Sequence, residues 1–372
     1  MGMSLVPMLA ARGDEVFVTS RRSHENSRKS EGSSAGICFL QGDAHEEAFL
    51  RKVLEKRYDV IVDFMAYTEE EFRQRADLLL ASCGQYLFLS SSRVYAGSPD
   101  PLTEESPRLL DACKDKKYLK TAEYALDKAR EENILKENEK HNWTVIRPYI
   151  TYNSNRIQLG CYEKENWLYR ALKGRTIVFT EDMAKCKTTL TYGQDVAEVM
   201  SRLIGNEKAF GEVFHIASNH FVTWGEVLQV YLDVIEEMRG KRVPVLWLKD
   251  SKKMEAVLNR WQVRYDRLYD RTFDSSKVDE ACGERHEYIG AWEGLTICLR
   301  EFLANGSTFG KINWNMQAYM DKLTHERTSL SEISSGKQKL KYLICRYTPY
   351  LQMKDVLRCL RWGEDRKRAI KC

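Results

Sequence analysis

The chain has 372 residues, more than a usual single domain, so one large α/β unit with an appended lobe, or two domains, is expected. Its net charge of +4 is small for that length and does not argue for a nucleic-acid partner. No signal peptide is visible, no apolar run approaches the ~20 residues of a membrane span, and the ten scattered cysteines form no Cys-x-x-Cys. With no histidine pair at ligand spacing, these cysteines read as reduced thiols in a cytoplasmic protein, and no metal is expected.

Met1 to Gly13 reads as a helix ending at a glycine, and Glu15 to Thr19 as a strand followed by Ser20-Arg21-Arg22. Ser23 to Ser34 is polar and lacks hydrophobic periodicity, as a surface loop should. Ile37 to Leu40 is the next strand, and Asp43 after it can cap a helix over Ala44 to Lys56. Asp59 to Phe64 is a continuous apolar run of the kind buried on both faces of a parallel sheet. Met65-Ala66-Tyr67 follows, and then a helix from Glu69 to Ser82. The strand Gln85 to Leu89 ends in Ser90-Ser91-Ser92, with Arg93-Val94-Tyr95 behind it.

Tyr124 and Lys128 stand at i and i+4, which puts both side chains on one helix face. A cation near a phenol favours the phenolate, and two charges about 4 Å apart interact by roughly 4 kcal/mol at an effective dielectric of about 20. A serine hydroxyl at a strand's carboxyl end could then hold the substrate oxygen whose proton Tyr124 takes or returns.

Taken with Val145-Ile146-Arg147-Pro148, Thr191 to Ala197 and Val213 to Ser218, this order of segments resembles the short-chain dehydrogenase/reductase superfamily, in its extended, nucleotide-sugar epimerase/dehydratase-like branch. The resemblance covers roughly residues 1 to 305. It implies a Rossmann-like doubly wound α/β domain over 1–155 and a smaller α/β substrate lobe over 156–330 interleaved with it; the basic amphipathic tail over 331–372 departs from the family. Gly2 is similar to the last glycine of the family's Gly-x-x-Gly-x-x-Gly, which leaves the first strand and two glycines outside the numbered sequence. A mis-assigned start codon or truncated gene model would explain this, loss of cofactor binding is the alternative, and as it stands the chain would carry a sheet without its central strand.

The resemblance assigns Tyr124 as general acid/base, Lys128 as the group that lowers its pKa and binds the nicotinamide ribose, and Ser91, three residues before Val94, as the substrate-oxygen ligand. Cofactor contacts fall on Gly2, Ser20, Arg21, Arg22, Asp43, Met65, Ala66, Ser90 and Pro148 besides Tyr124 and Lys128. Arginines after the second strand suit a 2′-phosphate, so NADP is favoured over NAD, although a solvated pair is the bland reading. The family's dehydratases carry an acidic pair where this chain has Ser92 and Arg93, so an epimerase or ketoreductase is preferred. Ser92, Arg93, Asn153, Arg264 and Arg271 are candidate contacts for a nucleotide-sugar, the two last sharing with Arg267 a spacing that would project guanidinium forks from one face towards a diphosphate. His215 reads as packed.

The segment 337–372 carries eleven Lys or Arg against three acids, hence +8, with Leu340, Leu343, Ile344, Tyr347 and Leu351 interleaved. It is expected to pack on the protein's own body, with an anionic membrane or a partner as the other use. A homodimer is a further expectation. The competing class is a catalytically silent family member that binds RNA or regulates.

Overall fold

A computed structural model describes residues 1–23, 36–306 and 308–350. The loop expected over 23–34 therefore falls almost wholly outside the described residues, as does the end of the tail, 351–372. The chain forms two compact units, the first made of Met1–Asn153, Thr189–Phe221 and Arg271–Ala291, the second of Ser154–Thr188, Val222–Asp270 and Trp292–Cys372. The interleaving is finer than a division at 155/156 allows, because the chain returns twice to its first unit.

The first unit alternates helix and strand: α1 (Gly2–Arg12), β1 (Val16–Ser20), β2 (Ile37–Gln41), α2 (Glu47–Leu54), β3 (Tyr58–Asp63), α3 (Glu69–Ala81), β4 (Cys83–Leu89), α4 (Tyr124–Lys136), β5 (Trp143–Pro148), α5 (Gly193–Leu203) and β6 (Glu212–Ile216). Local chemistry sets the boundaries. Gly13 stops α1 by turning left-handed at φ 100°, a region an L side chain enters only with strain. Thr68 and Glu71 close a capping box at the start of α3. Asp43 caps no helix: its Oδ1 accepts from the His45 amide at 3.0 Å in a local turn, and α2 begins only at Glu47.

Every ladder among these strands is parallel. β4 lies centrally in the order β6-β5-β4-β3, and its side chains alternate between two apolar clusters. Leu87 joins Leu5, Leu9, Ile146, Val199, Met200 and Phe214 on the α1 and α5 face. Tyr86 and Phe88 join Phe72, Leu79, Leu80, Leu135 and Val145 on the α3 and α4 face. Helices thus cover both faces, the doubly wound arrangement. β1 and β2 form a separate pair. The Phe17 and Tyr58 rings meet at 5.6 Å and Lys56 reaches Glu15 at 3.2 Å, so β1 begins beside β3, yet no ladder joins them among the described residues.

In the second unit the strands Ile177–Thr180 and Val245–Leu248 pair in parallel. The helix Trp224–Arg239 is capped by a Thr223–Glu226 box and stacks Tyr231 on Trp167 at 4.6 Å. The expected tail enters this unit as the helix Gly336–Tyr347. Its buried Tyr342 hydroxyl donates to Asp321 at 2.7 Å and accepts from the Thr328 amide at 2.9 Å. Leu340 and Tyr347 stay exposed. No helix among the described residues is long and apolar enough to cross a membrane.

Candidate active site

β4 delivers the three serines, and hydrogen bonding separates them. Ser90 Oγ donates to Glu132 at 2.5 Å, and Ser92 Oγ, fully buried, donates to the Arg147 carbonyl at 2.7 Å. Both hydroxyls are held inside the fold, which takes Ser90 away from a cofactor and Ser92 away from a substrate. Ser91 instead only accepts, from the Arg93 amide at 3.2 Å, and its own proton has no acceptor among the described residues.

Tyr124 is the first residue of α4, 42% exposed, on a helix whose other members are largely buried. Glu123 caps this helix through the Ala125 amide at 2.9 Å and also takes a hydrogen bond from Arg93 at 2.5 Å. That ion pair swings the Arg93 guanidinium over the Tyr124 ring, 5.3 Å from its centroid. Arg93 thus bonds Ser91 through its amide while its guanidinium covers the Tyr124 ring, and its side chain is already engaged with Glu123, where the sequence placed it on substrate.

Lys128 lies one turn below and is buried. Its ammonium bonds Glu131 Oε2 at 2.9 Å and the Met65 carbonyl at 3.4 Å, and rests 4.4 Å from the centre of the Phe88 ring. Met65 is fixed in turn because Asp63 accepts its amide at 2.8 Å, while the other Asp63 oxygen takes the hydroxyls of Tyr67 at 2.9 Å and Tyr86 at 2.7 Å. Burial pushes the Glu131 carboxyl up to about 7, against the pull of Lys128, and its second oxygen has no hydrogen-bond partner among the described residues.

Glu132 fastens α4 to the sheet. It accepts two bonds from Arg147, at 2.8 and 2.6 Å, and one from Arg108 at 3.2 Å, with Ser90 completing the set. Burial alone would raise this carboxyl, but Arg147 above all, then Ser90 and Arg108, hold it below its usual range. Sequence reading missed both glutamates, although two adjacent acids on a helix buried on several sides are a readable anomaly. His215 packs as expected: burial lowers it to about 4, and its ring bonds Tyr95 at 3.2 Å and the Asp274 carbonyl at 2.7 Å.

The remaining expected contacts divide by location. Ser20, Arg21 and Arg22 end β1 or follow it, Asp43 follows β2, Met65 and Ala66 follow β3, and Pro148 ends β5, so all lie at strand carboxyl ends. Arg21 is 3.9 Å from Asp43 and largely exposed. Gly2 opens α1, whose first amides lack intrahelical acceptors. Asn153 ends the first unit's opening segment. The arginine trio is not a phosphate fork. Arg264 is held by Glu255 at 2.8 and 2.7 Å, Arg267 is buried on the Gly160 carbonyl at 3.0 Å, and Arg271 is buried on the carbonyls of Tyr95 and Ala96, both at 3.0 Å. Arg264 and Arg271 also belong to different units.

A parallel, doubly wound sheet with a serine at one strand end and a Tyr-x-x-x-Lys helix beside it defines a class of nicotinamide-dependent enzyme folds. The match to a family model narrows this: residues 1–217 fit the NAD dependent epimerase/dehydratase family, and the chain belongs to it. It is similar to the chloroplast stem-loop binding protein of 41 kDa b of Arabidopsis thaliana, 26% identical over 60% of this chain and 57% of that protein. The chain thus spans little more than half the length of that relative. It is 23% identical to the 2'-dehydrokanamycin reductase of Streptomyces kanamyceticus, over 80% of this chain and 81% of that enzyme. The crystal structure of UDP-glucose 4-epimerase from Bifidobacterium longum in complex with NAD+ and UDP has the same fold, with a TM-score of 0.59 at 18% identity, covering 81% of this chain and 95% of that one.

Proposed function

We propose that this family member transfers hydride between NAD(P) and a carbinol or ketone of a nucleotide-linked sugar, as an epimerase or ketoreductase. The observation that carries the reading is the sorting of hydroxyls. Of the three consecutive serines, only Ser91 has no acceptor for its proton among the described residues, and Arg93 bonds that serine through its amide while its guanidinium lies over the exposed Tyr124 ring.

The donor set fits a nicotinamide dinucleotide along the strand ends. Lys128, held at Met65, would bind the nicotinamide ribose; Arg21 and Arg22 would meet a 2′-phosphate, favouring NADP; and the pyrophosphate would lie at the amino terminus of α1, by Gly2. The bound cofactor supplies or accepts the hydride. Ser91 Oγ donates to the substrate oxygen, orienting it, and Tyr124 gives or removes the proton on that oxygen as the carbon is reduced or oxidised. The Glu131 contact keeps Lys128 from wandering between turnovers. A dehydratase is disfavoured because Ser92 is sealed and Arg93 is cationic where an acid pair would be needed. The UDP-glucose 4-epimerase named above supports the substrate class, and the 2'-dehydrokanamycin reductase supports the reductase form of the reaction.

Cofactor binding should be titrated on the 372-residue chain with the non-phosphorylated and the phosphorylated cofactor. Turnover is then read on a panel of UDP-hexoses and keto-sugars. The reading expects saturable NAD(P)H binding and a fall in turnover of about 10²- to 10⁴-fold in Tyr124→Phe. No binding to either form would sink it.

A further inference from the structure

Asp195 and Glu198 sit at i and i+3 on α5, and about ninety residues later in the same unit His286 returns to them. The ligand atoms of all three lie within 4.8 Å of one another. Each carboxylate has only part of its capacity in use. Asp195 Oδ2 accepts from the Ile289 amide at 3.0 Å, which leaves Oδ1 3.7 Å from His286 Nε2, and Glu198 Oε1 accepts from Gln194 at 3.1 Å. His286 is only 7% exposed, and its Nε2 has no hydrogen-bond partner among the described residues. The Tyr288 hydroxyl is equally buried and equally unpartnered, on a ring that meets the His286 ring edge-on at 4.6 Å. The nearby cation Arg202 is paired with Glu284 at 3.1 Å.

Buried polar atoms in native folds are almost always bonded to protein, to water or to an ion. An imidazole nitrogen without a partner, aimed at two carboxylates, has the donor chemistry of a metal centre. We propose that Asp195, Glu198 and His286 bind one divalent transition-metal ion, which clips α5 to the segment around His286. One nitrogen and two oxygens suit the borderline cations, zinc and its first-row neighbours, and not the soft thiolate-seeking ones. A tetrahedral site with bonds of ~2.1 Å has edges of about 3.4 Å. The His286–Asp195 edge is near that already, and Glu198, the partly exposed member, closes the rest by turning its broad terminal torsion. The site shares no residue with the Tyr124 centre and stands whether or not the hydride-transfer reading does. Spacing along the chain could not reveal it, because its third ligand comes from a distant segment.

The test uses the full chain, treated with chelator and titrated with Co²⁺, whose absorption distinguishes nitrogen and oxygen ligands from cysteine sulfur. The expected result is one saturable site without a thiolate charge-transfer band and a higher melting temperature with metal. Affinity should fall about tenfold or more in both His286→Gln and Glu198→Gln. Should His286→Gln fail to fold, Glu198→Gln alone decides, since Glu198 is partly exposed. The proposal is overturned by no saturable binding up to about 1 mM Co²⁺, by unchanged affinity in the variants, or by a spectrum of thiolate ligation alone.

Discussion

Replacing Glu131 by Gln should remove a pH dependence of stability that the wild type carries. The Glu131 carboxyl titrates near 7 in the folded chain and near 4.5 when unfolded. Between those values the folded state holds a proton that the unfolded state has released. Stability from this group is therefore fully present below about pH 4.5 and is lost as pH rises through about 7. At about 1.36 kcal/mol per unit the loss is up to roughly 3 kcal/mol. Gln cannot ionise, keeps the shape, and still offers Lys128 an acceptor oxygen. Urea unfolding of both proteins at pH 5, 7 and 8.5 tests this: the wild type should lose about 2–3 kcal/mol relative to the variant across that range. A difference flat with pH would show that Lys128 and Glu131 stay charged together and that burial does not govern the pair.

Glu132→Ala should cost about 3–5 kcal/mol, because it strands the buried Arg147 guanidinium without its partner; a loss below 1 kcal/mol in urea unfolding would refute that anchoring role. Ser20→Asp with Arg21→Asn should move cofactor preference from NADP(H) towards NAD(H), since a carboxylate repels a 2′-phosphate and accepts from a hydroxyl. Titration of both cofactors against both proteins decides, and a wild type that already prefers NAD(H) contradicts the arginine argument. Deleting 337–372 should lower the melting temperature by several degrees, because the Tyr342 bonds to Asp321 and Thr328 go with it. A truncated chain that melts unchanged but no longer sediments with anionic vesicles would instead make the tail a surface anchor.

What the sequence made legible was local. Apolar runs with turn signals marked the strands, the helix expected from Glu69 begins there, and the i, i+4 spacing placed Tyr124 and Lys128 on the one helix that carries both. What stayed hidden was decided by partners far along the chain. Nothing near Ser90 or Ser92 foretold that Glu132 and the Arg147 carbonyl would take their hydroxyls. The spacing of Arg264, Arg267 and Arg271 projects them from one face only on a continuous α-helix. Here Arg260–Gln262 passes into a π-helical turn at Val263–Arg267 and the helix then ends, so each guanidinium finds a different acceptor. The Asp43 cap failed for a smaller reason: its carboxylate satisfied the turn before the helix began.

The central claim is that Tyr124 moves the proton that accompanies hydride transfer at a substrate oxygen held by Ser91. Its most direct test is isotopic. The chain is supplied with NAD(P)H deuterated at nicotinamide C4 and with keto-sugars linked to UDP, and the products are weighed by mass spectrometry. The account predicts deuterium on the former carbonyl carbon with the wild type, and a rate lower by about 10²-fold or more in Tyr124→Phe with cofactor affinity retained. Transfer at an undiminished rate in Tyr124→Phe, or cofactor bound with no deuterium transferred to any sugar offered, would contradict it.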